Sequence, residues 1–133
     1  MSSFDWNLRV YWEDTDAGGV VFYANYLKFF ERARTEWLRA LGSTSWRWPT
    51  RPGHIRGAQH RRGLRAPARL DDLLQIRSRM ERVGPASVQF AQESWRGDIL
   101  LASGTIRVGC VDRLTFRPTP IPAPVLATIK AAA

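Results

Sequence analysis

Residues 13–26, EDTDAGGVVFYANY, set two carboxylates, Asp14 and Asp16, just ahead of a Gly18-Gly19 pair and an apolar, aromatic run. A carboxylate can attack a carbonyl carbon or activate a water beside it. Glycines let backbone approach a ligand closely and expose N–H groups. A helix N-terminus gathers unpaired N–H donors at the positive end of its dipole. Such donors can hold the oxyanion that develops during acyl transfer. The same residues have a plainer use: aspartates cap helices and glycines shape turns. Both uses require a helix to begin immediately after the motif. The two histidines, His54 and His60, lie far along the chain in an irregular segment, so no Ser-His-Asp set competes. No CxxC or HExxH spacing points to a metal, and no cofactor is expected.

The required helix is legible. From Tyr23 the apolar residues fall into 3–4 spacing: Leu27, Phe30, Trp37 and Leu41, with Arg34 in the same series and Phe29, Ala33 and Leu38 widening the face. This predicts one amphipathic helix over 23–41, with Gly42 as its stop and an Arg32–Glu36 surface pair at i,i+4. Before it, WNLRVYW (6–12) reads as a strand. After Pro67, the alternating segments 73–83, 86–96 and 99–112 read as three strands of an antiparallel meander, punctuated by VGPA and RGD turns. A proline-rich stretch then leads to a short terminal helix in VLATIKAAA. One long helix against an antiparallel sheet is an α+β domain.

Length and composition fit a single domain over 1–133, with 44% hydrophobic residues for one core. The lone Cys110 allows no internal disulfide and reads as a buried, inert thiol, which suits the cytoplasm. The N-terminus lacks the pattern of a signal peptide, and no apolar run approaches the ~18 residues of a membrane span. The net charge is +8, but six arginines and no acid lie within residues 43–66; subtracting those six leaves +2. The basicity is therefore local, and nucleic acid is not an expected partner.

Residues 43–65, STSWRWPTRPGHIRGAQHRRGLR, follow no period. A structureless stretch this long is anomalous inside a compact domain. Permitted codons for Gly53 to Pro67, read one base later, can give AIFVVRSTDVDYGRP, a string with the alternation of a strand. The expectation is that part of 43–65 is read out of frame.

RVYWEDTDAGGVVFYANYLKFFERARTEWLRALG strongly resembles the YbgC-type acyl-CoA thioesterases of the hotdog superfamily, relatives of 4-hydroxybenzoyl-CoA thioesterases. PARLDDLLQI (67–76) is a second matching block, and SVQFAQE and VGCVD match more loosely. The resemblance implies a hotdog fold, a long central helix wrapped by a curved antiparallel sheet. It implies hydrolysis of acyl-CoA or acyl-carrier thioesters, an active site at the interface of a homodimer or homotetramer, and an association with the Tol-Pal envelope system. Carried over residue by residue, Asp16 matches the catalytic aspartate, as nucleophile or general base. The amides around Gly18, Gly19, Val20 and Val21 would polarise the thioester carbonyl. Tyr23 stands where many relatives carry histidine, and it cannot buffer a proton near neutral pH. Asn25 would orient the site, and Arg69 would meet the phosphates of coenzyme A. The family also carries an apolar strand just before its Pro-Ala-Arg-Leu block, which the printed residues lack and the shifted reading restores. Tyr26 and the tryptophans at 6, 12, 37 and 95 read as packing or interface residues, and Glu13 and Asp14 as structural or solvated. The alternative is a non-catalytic hotdog module that binds acyl carriers or anionic surfaces through its arginines.

Overall fold

The chain alternates between the two periods that the sequence displays, and the computed structural model shows where each one takes hold. It describes residues 3–42, 50–56, 67–110, 112, 115 and 117–133, with side chains described outside 50–56. The order is β1 (Ser3–Arg9), a 3-10 turn (Trp12–Asp14), α1 (Tyr23–Ala40), β2 (Thr50–Arg56), β3 (Leu73–Val83), β4 (Ser87–Arg96), β5 (Ile99–Cys110) and α2 (Ala123–Ala132). The strands form one antiparallel sheet in the order β1-β3-β4-β5-β2. The α+β architecture, α1 and the β3–β4–β5 meander stand as expected.

Three boundaries differ for physical reasons. The first strand spans Ser3–Arg9 rather than 6–12, because the Tyr11 amide donates to Asp14 Oδ2 at 2.8 Å and folds the chain into the 3-10 turn. Residues 43–65 were expected to lack regular structure, yet β2 lies within them and pairs with β5, from Thr50 opposite Cys110 to Arg56 opposite Thr105. Pro52 is tolerated there because β2 is a sheet edge, and the register shifts between Pro52 and Ile55. The shifted-frame expectation otherwise falls largely outside the described side chains. Finally, Glu36 pairs with Arg39 at i,i+3, not with Arg32.

Alternation then dictates packing. Leu74, Ile76, Ser78 and Met80 of β3 and Val88, Phe90, Gln92 and Ser94 of β4 turn inward and are buried. The start and middle of α1 bury Tyr26, Phe29, Phe30 and Ala33 against Leu8, Val10, Leu74, Ile76, Leu101 and Ile106. Its end buries Trp37 and Leu38 with Met80, Val88, Phe90, Cys110 and Ile129 of α2. Cys110 is buried as expected, and burial pushes its thiol above the ordinary value. Trp37 is a core anchor, stacked on Phe4 with ring centroids 5.9 Å apart. Trp12, in contrast, is 79% exposed and anchors no core. The tight loops follow backbone chemistry: α1 closes at Gly42, whose φ of +83° only glycine adopts freely.

One polar contact crosses the apolar layer. Arg34 lies on the inward face of α1, and its Nη1 donates to Gln92 Oε1 at 2.7 Å. Gln92 Nε2 in turn donates to Phe30 O at 2.8 Å and to Ser78 Oγ at 2.9 Å. Burial drives the Arg34 guanidinium down to about 10, against the opposing pull of Glu31. It is still charged at neutral pH and needs its acceptor.

Candidate active site

Asp16 sits in the loop between the 3-10 turn and α1, and the loop is built around its carboxylate. Asp16 N donates to Val20 O at 2.9 Å, Gly19 N to Asp16 O at 3.0 Å, and Thr15 bridges Val21. Asp16 Oδ1 accepts Gly18 N at 2.8 Å and Val20 N at 3.3 Å. The two glycines have separate reasons. A Cβ at Gly18 would stand 3.2 Å from Asp16 Oδ1, and Gly19 has φ +79°. Oδ1 is thus tied to the backbone, while the exposed carboxylate keeps its second oxygen toward solvent.

This geometry gives the predicted amide donors a different task. Gly18 and Val20 donate to Asp16 itself, Gly19 to its carbonyl, and Val21 N to Ala68 O at 2.8 Å. They orient the aspartate, and their N–H groups are already engaged. Neither Asp14 nor Asp16 caps α1: the N-cap residue is Phe22, and no side chain caps the first turn. Within that turn the Asn25 amide donates to Phe22 O at 2.9 Å, and the positive end of the helix dipole lies at this terminus.

Asn25 and Asp14 meet beneath this surface. Both are buried, at 1% and 3% exposure, and Asn25 Nδ2 donates to Asp14 Oδ1 at 3.0 Å. Among the described residues Asn25 Oδ1 has no partner. The pairing of residues 11 apart across a loop carries no periodic signal, so sequence reasoning found Asn25 as a candidate but not its partner. Tyr23 is half-buried, and burial raises its phenol above the ordinary 10.0, so at neutral pH it is protonated. Tyr26 is buried as expected, its hydroxyl accepting Ala68 N at 3.4 Å.

The second sequence block closes the site from the other side. Val20 bridges Arg69, so Arg69, exposed, lies beside the Asp16 loop. The ion pair of this block is Asp72 with Arg96 at 2.9 Å rather than with the Arg69 side chain. Burial works to raise Asp72, but the Arg69 amide and the Arg96 guanidinium outweigh it and hold its carboxyl below the usual 3.8. Arg96 also donates to Pro67 O at 3.2 Å and ties the block to β4. Around this end Tyr11, Trp12, Phe22, Leu70 and Leu73 leave large apolar surface exposed.

Comparisons with known proteins identify the family and the fold. The model of the thioesterase superfamily matches residues 18–103. Acyl-CoA thioesterase YbgC of Haemophilus influenzae is 40% identical over 95% of this chain and 93% of that protein. Acyl-CoA thioester hydrolase YbgC of Escherichia coli O157:H7 is 38% identical over 96% of each. The crystal structure of a 1,4-dihydroxy-2-naphthoyl-CoA thioesterase from Synechocystis superposes with a TM-score of 0.84 over 97% of this chain and 96% of that one, at 20% identity, a likeness of fold. The chain belongs to the thioesterase superfamily and, within it, to the YbgC-type acyl-CoA thioesterases of hotdog fold.

Proposed function

We propose that this protein hydrolyses acyl-CoA thioesters to the free acid and coenzyme A thiol, with Asp16 as the catalytic carboxylate. The observation that carries the assignment is the Asp16 loop: one carboxylate oxygen is held by Gly18 and Val20 amides, which leaves the other for the substrate. That oxygen attacks the thioester carbonyl or draws a proton from the attacking water. As the carbonyl oxygen gains charge, the N-terminal end of α1 stabilises it through the helix dipole. The thiolate then leaves as coenzyme A; on the general-base route this gives the free acid directly, and on the nucleophilic route water hydrolyses the resulting acyl–Asp16 anhydride to release the acid and restore the carboxylate. Gly18, Gly19, Val20 and Val21 shape the loop, Tyr23 offers a hydroxyl from a protonated phenol, and Asn25 holds the helix start. Arg69, exposed beside the loop, meets the phosphates of coenzyme A as a point of charge. Metal and cofactor have no part in this scheme.

The same reading covers context. An acyl carrier protein presents the same thioester and is an alternative donor. The exposed apolar residues around Asp16 support a homodimer or homotetramer that covers them. The free, buried Cys110 suits a reducing cytoplasm, and an association with the Tol-Pal system comes from the family likeness alone. One hotdog domain accounts for 1–133, with the arginine-rich part of 43–65 arising from a shifted frame; the coding DNA across residues 40–68 tests that directly, and codons incompatible with the shifted strand would end the idea.

Thiol release from a series of acyl-CoA substrates, acetyl to palmitoyl together with benzoyl, tests the activity. Turnover of at least one above the uncatalysed rate is expected. A folded, assembled protein that releases no thiol from any of them would favour the non-catalytic module instead.

A further inference from the structure

Asp14, the partner of Asn25, has no role in the hydrolysis just described, and the chemistry of their buried contact is unusual for packing. Asp14 is nine-tenths or more buried, and both of its oxygens are engaged, Oδ2 by the Tyr11 amide at 2.8 Å and Oδ1 by Asn25 Nδ2 at 3.0 Å. Asn25 is buried too, yet its own oxygen has no donor among the described residues. An unsatisfied buried acceptor destabilises the folded chain, because the water it gave up is not replaced. A contact kept only for stability would be better made of apolar groups, which carry no such cost.

What the contact does is mechanical. Asn25 belongs to the first turn of α1, whose dipole end the proposed mechanism sets against the developing oxyanion. Asp14 belongs to the 3-10 turn whose next residue but one is Asp16. Thr15 N and Oγ1 both return to Trp12 O, at 3.1 and 2.8 Å, so little slack separates Asp14 from Asp16. We infer that Asp14 is a positioning residue: through Asn25 it locks the Asp16 loop to the start of α1, and so fixes the distance between the catalytic carboxylate and the helix end that stabilises the oxyanion. This rests on Asp16 being the catalytic group. Misplacing reacting groups by about 1 Å costs on the order of 100-fold in rate.

The orphan Asn25 oxygen supplies a discriminating experiment. In Asp14→Asn, the new side chain still accepts the Tyr11 amide through its oxygen, and its NH2 can donate to Asn25 Oδ1 after the Asn25 amide turns over. The lock survives without its charge. In Asp14→Ala it cannot form. The acyl-CoA that the unaltered protein hydrolyses fastest is the probe, with folded enzyme quantified by circular dichroism. Asp14→Ala is expected to lower kcat about 10- to 100-fold with KM little changed, while Asp14→Asn stays within about threefold of the unaltered enzyme. Adding Asn25→Ala to Asp14→Asn removes the acceptor, and kcat should then fall to the Asp14→Ala level. The inference is overturned if Asp14→Ala keeps its kcat per folded molecule, if the loss lies in KM alone, or if Asp14→Asn is as poor as Asp14→Ala. Should Asp14→Ala fail to fold, the Asp14→Asn pair with and without Asn25→Ala decides the matter alone. Asp16→Asn in the same assay separates the two readings: full activity there removes Asp16 from catalysis, whereas the pattern among the Asp14 variants reports on the lock.

Discussion

Two buried contacts between side chains join α1 to the rest of the chain among the described residues, one at its start and one at its middle, and they are built differently. Asp14–Asn25 joins a loop to the first helical turn and leaves an acceptor unsatisfied. Arg34–Gln92 joins the helix to β4 across 58 residues, and Gln92 continues to Phe30 O and Ser78 Oγ, so its amide is fully used. The first sacrifices stability beside the reacting carboxylate. The second satisfies every group it buries, far from that carboxylate along the helix. The difference teaches that polarity inside a small core serves geometry at one place and cohesion at another, and that satisfaction of hydrogen bonds tells the two apart.

The comparison breaks if the middle contact governs turnover or the first governs only folding. Gln92→Leu removes the acceptor of the Arg34 guanidinium and the Nε2 donor to Phe30 O and Ser78 Oγ at once, with the cation left buried. About 3 kcal/mol of stability should disappear, read by urea unfolding, with kcat per folded molecule unchanged. A stable Gln92→Leu would show that Arg34 finds water or another acceptor.

A smaller effect sharpens the loop side. Gly19→Ala places a side chain at φ +79°. It should cost about 1–2 kcal/mol of strain and lower kcat as the loop around Asp16 shifts, whereas the same strain at Gly42, φ +83°, should cost stability without kcat. Parallel unfolding and rate measurements on the two variants check this, and equal loss of kcat in both would deny the loop its special place.

The smallest effect is a pH dependence. Asp72 is held below its ordinary value, so it stabilises the folded chain above about pH 3.8, and that contribution fades as pH falls through its lower folded value. The pair with Arg96 is partly exposed, so Asp72→Asn should cost no more than about 1 kcal/mol at pH 7 and nothing in strong acid. Unfolding curves at pH 7 and pH 3 test the sign; a cost that grows on acidification would contradict it.

The fold was legible wherever a local period decides structure. Leu74, Ile76 and Met80 alternate, and Leu27, Phe30 and Trp37 recur at helical spacing, so β3 and α1 could be drawn without a partner in sight. The end of β1 was misplaced because a side chain, Asp14, ends the extended run by taking the Tyr11 amide, which no period records. β2 was missed because its pairing with β5 is a long-range contact of an edge strand that contains proline. The Asp-Gly motif stood out as a candidate, but its spacing left Asp14 and Asp16 both open, and Asp16 was singled out by the family resemblance. The Asp14–Asn25 lock was not legible, since it depends on a loop folding back. Arg34 fell in the apolar series of α1, yet its partner lay on another element.

The most direct test of the account is the turnover of Asp16→Asn, at matched concentrations of folded protein, on the best acyl-CoA substrate. The substitution keeps the shape of the side chain and an oxygen for the Gly18 amide, but removes the carboxylate. A fall in kcat of about 100-fold or more is the predicted result. An enzyme that turns over at the unaltered rate would contradict it and move the chemistry away from Asp16.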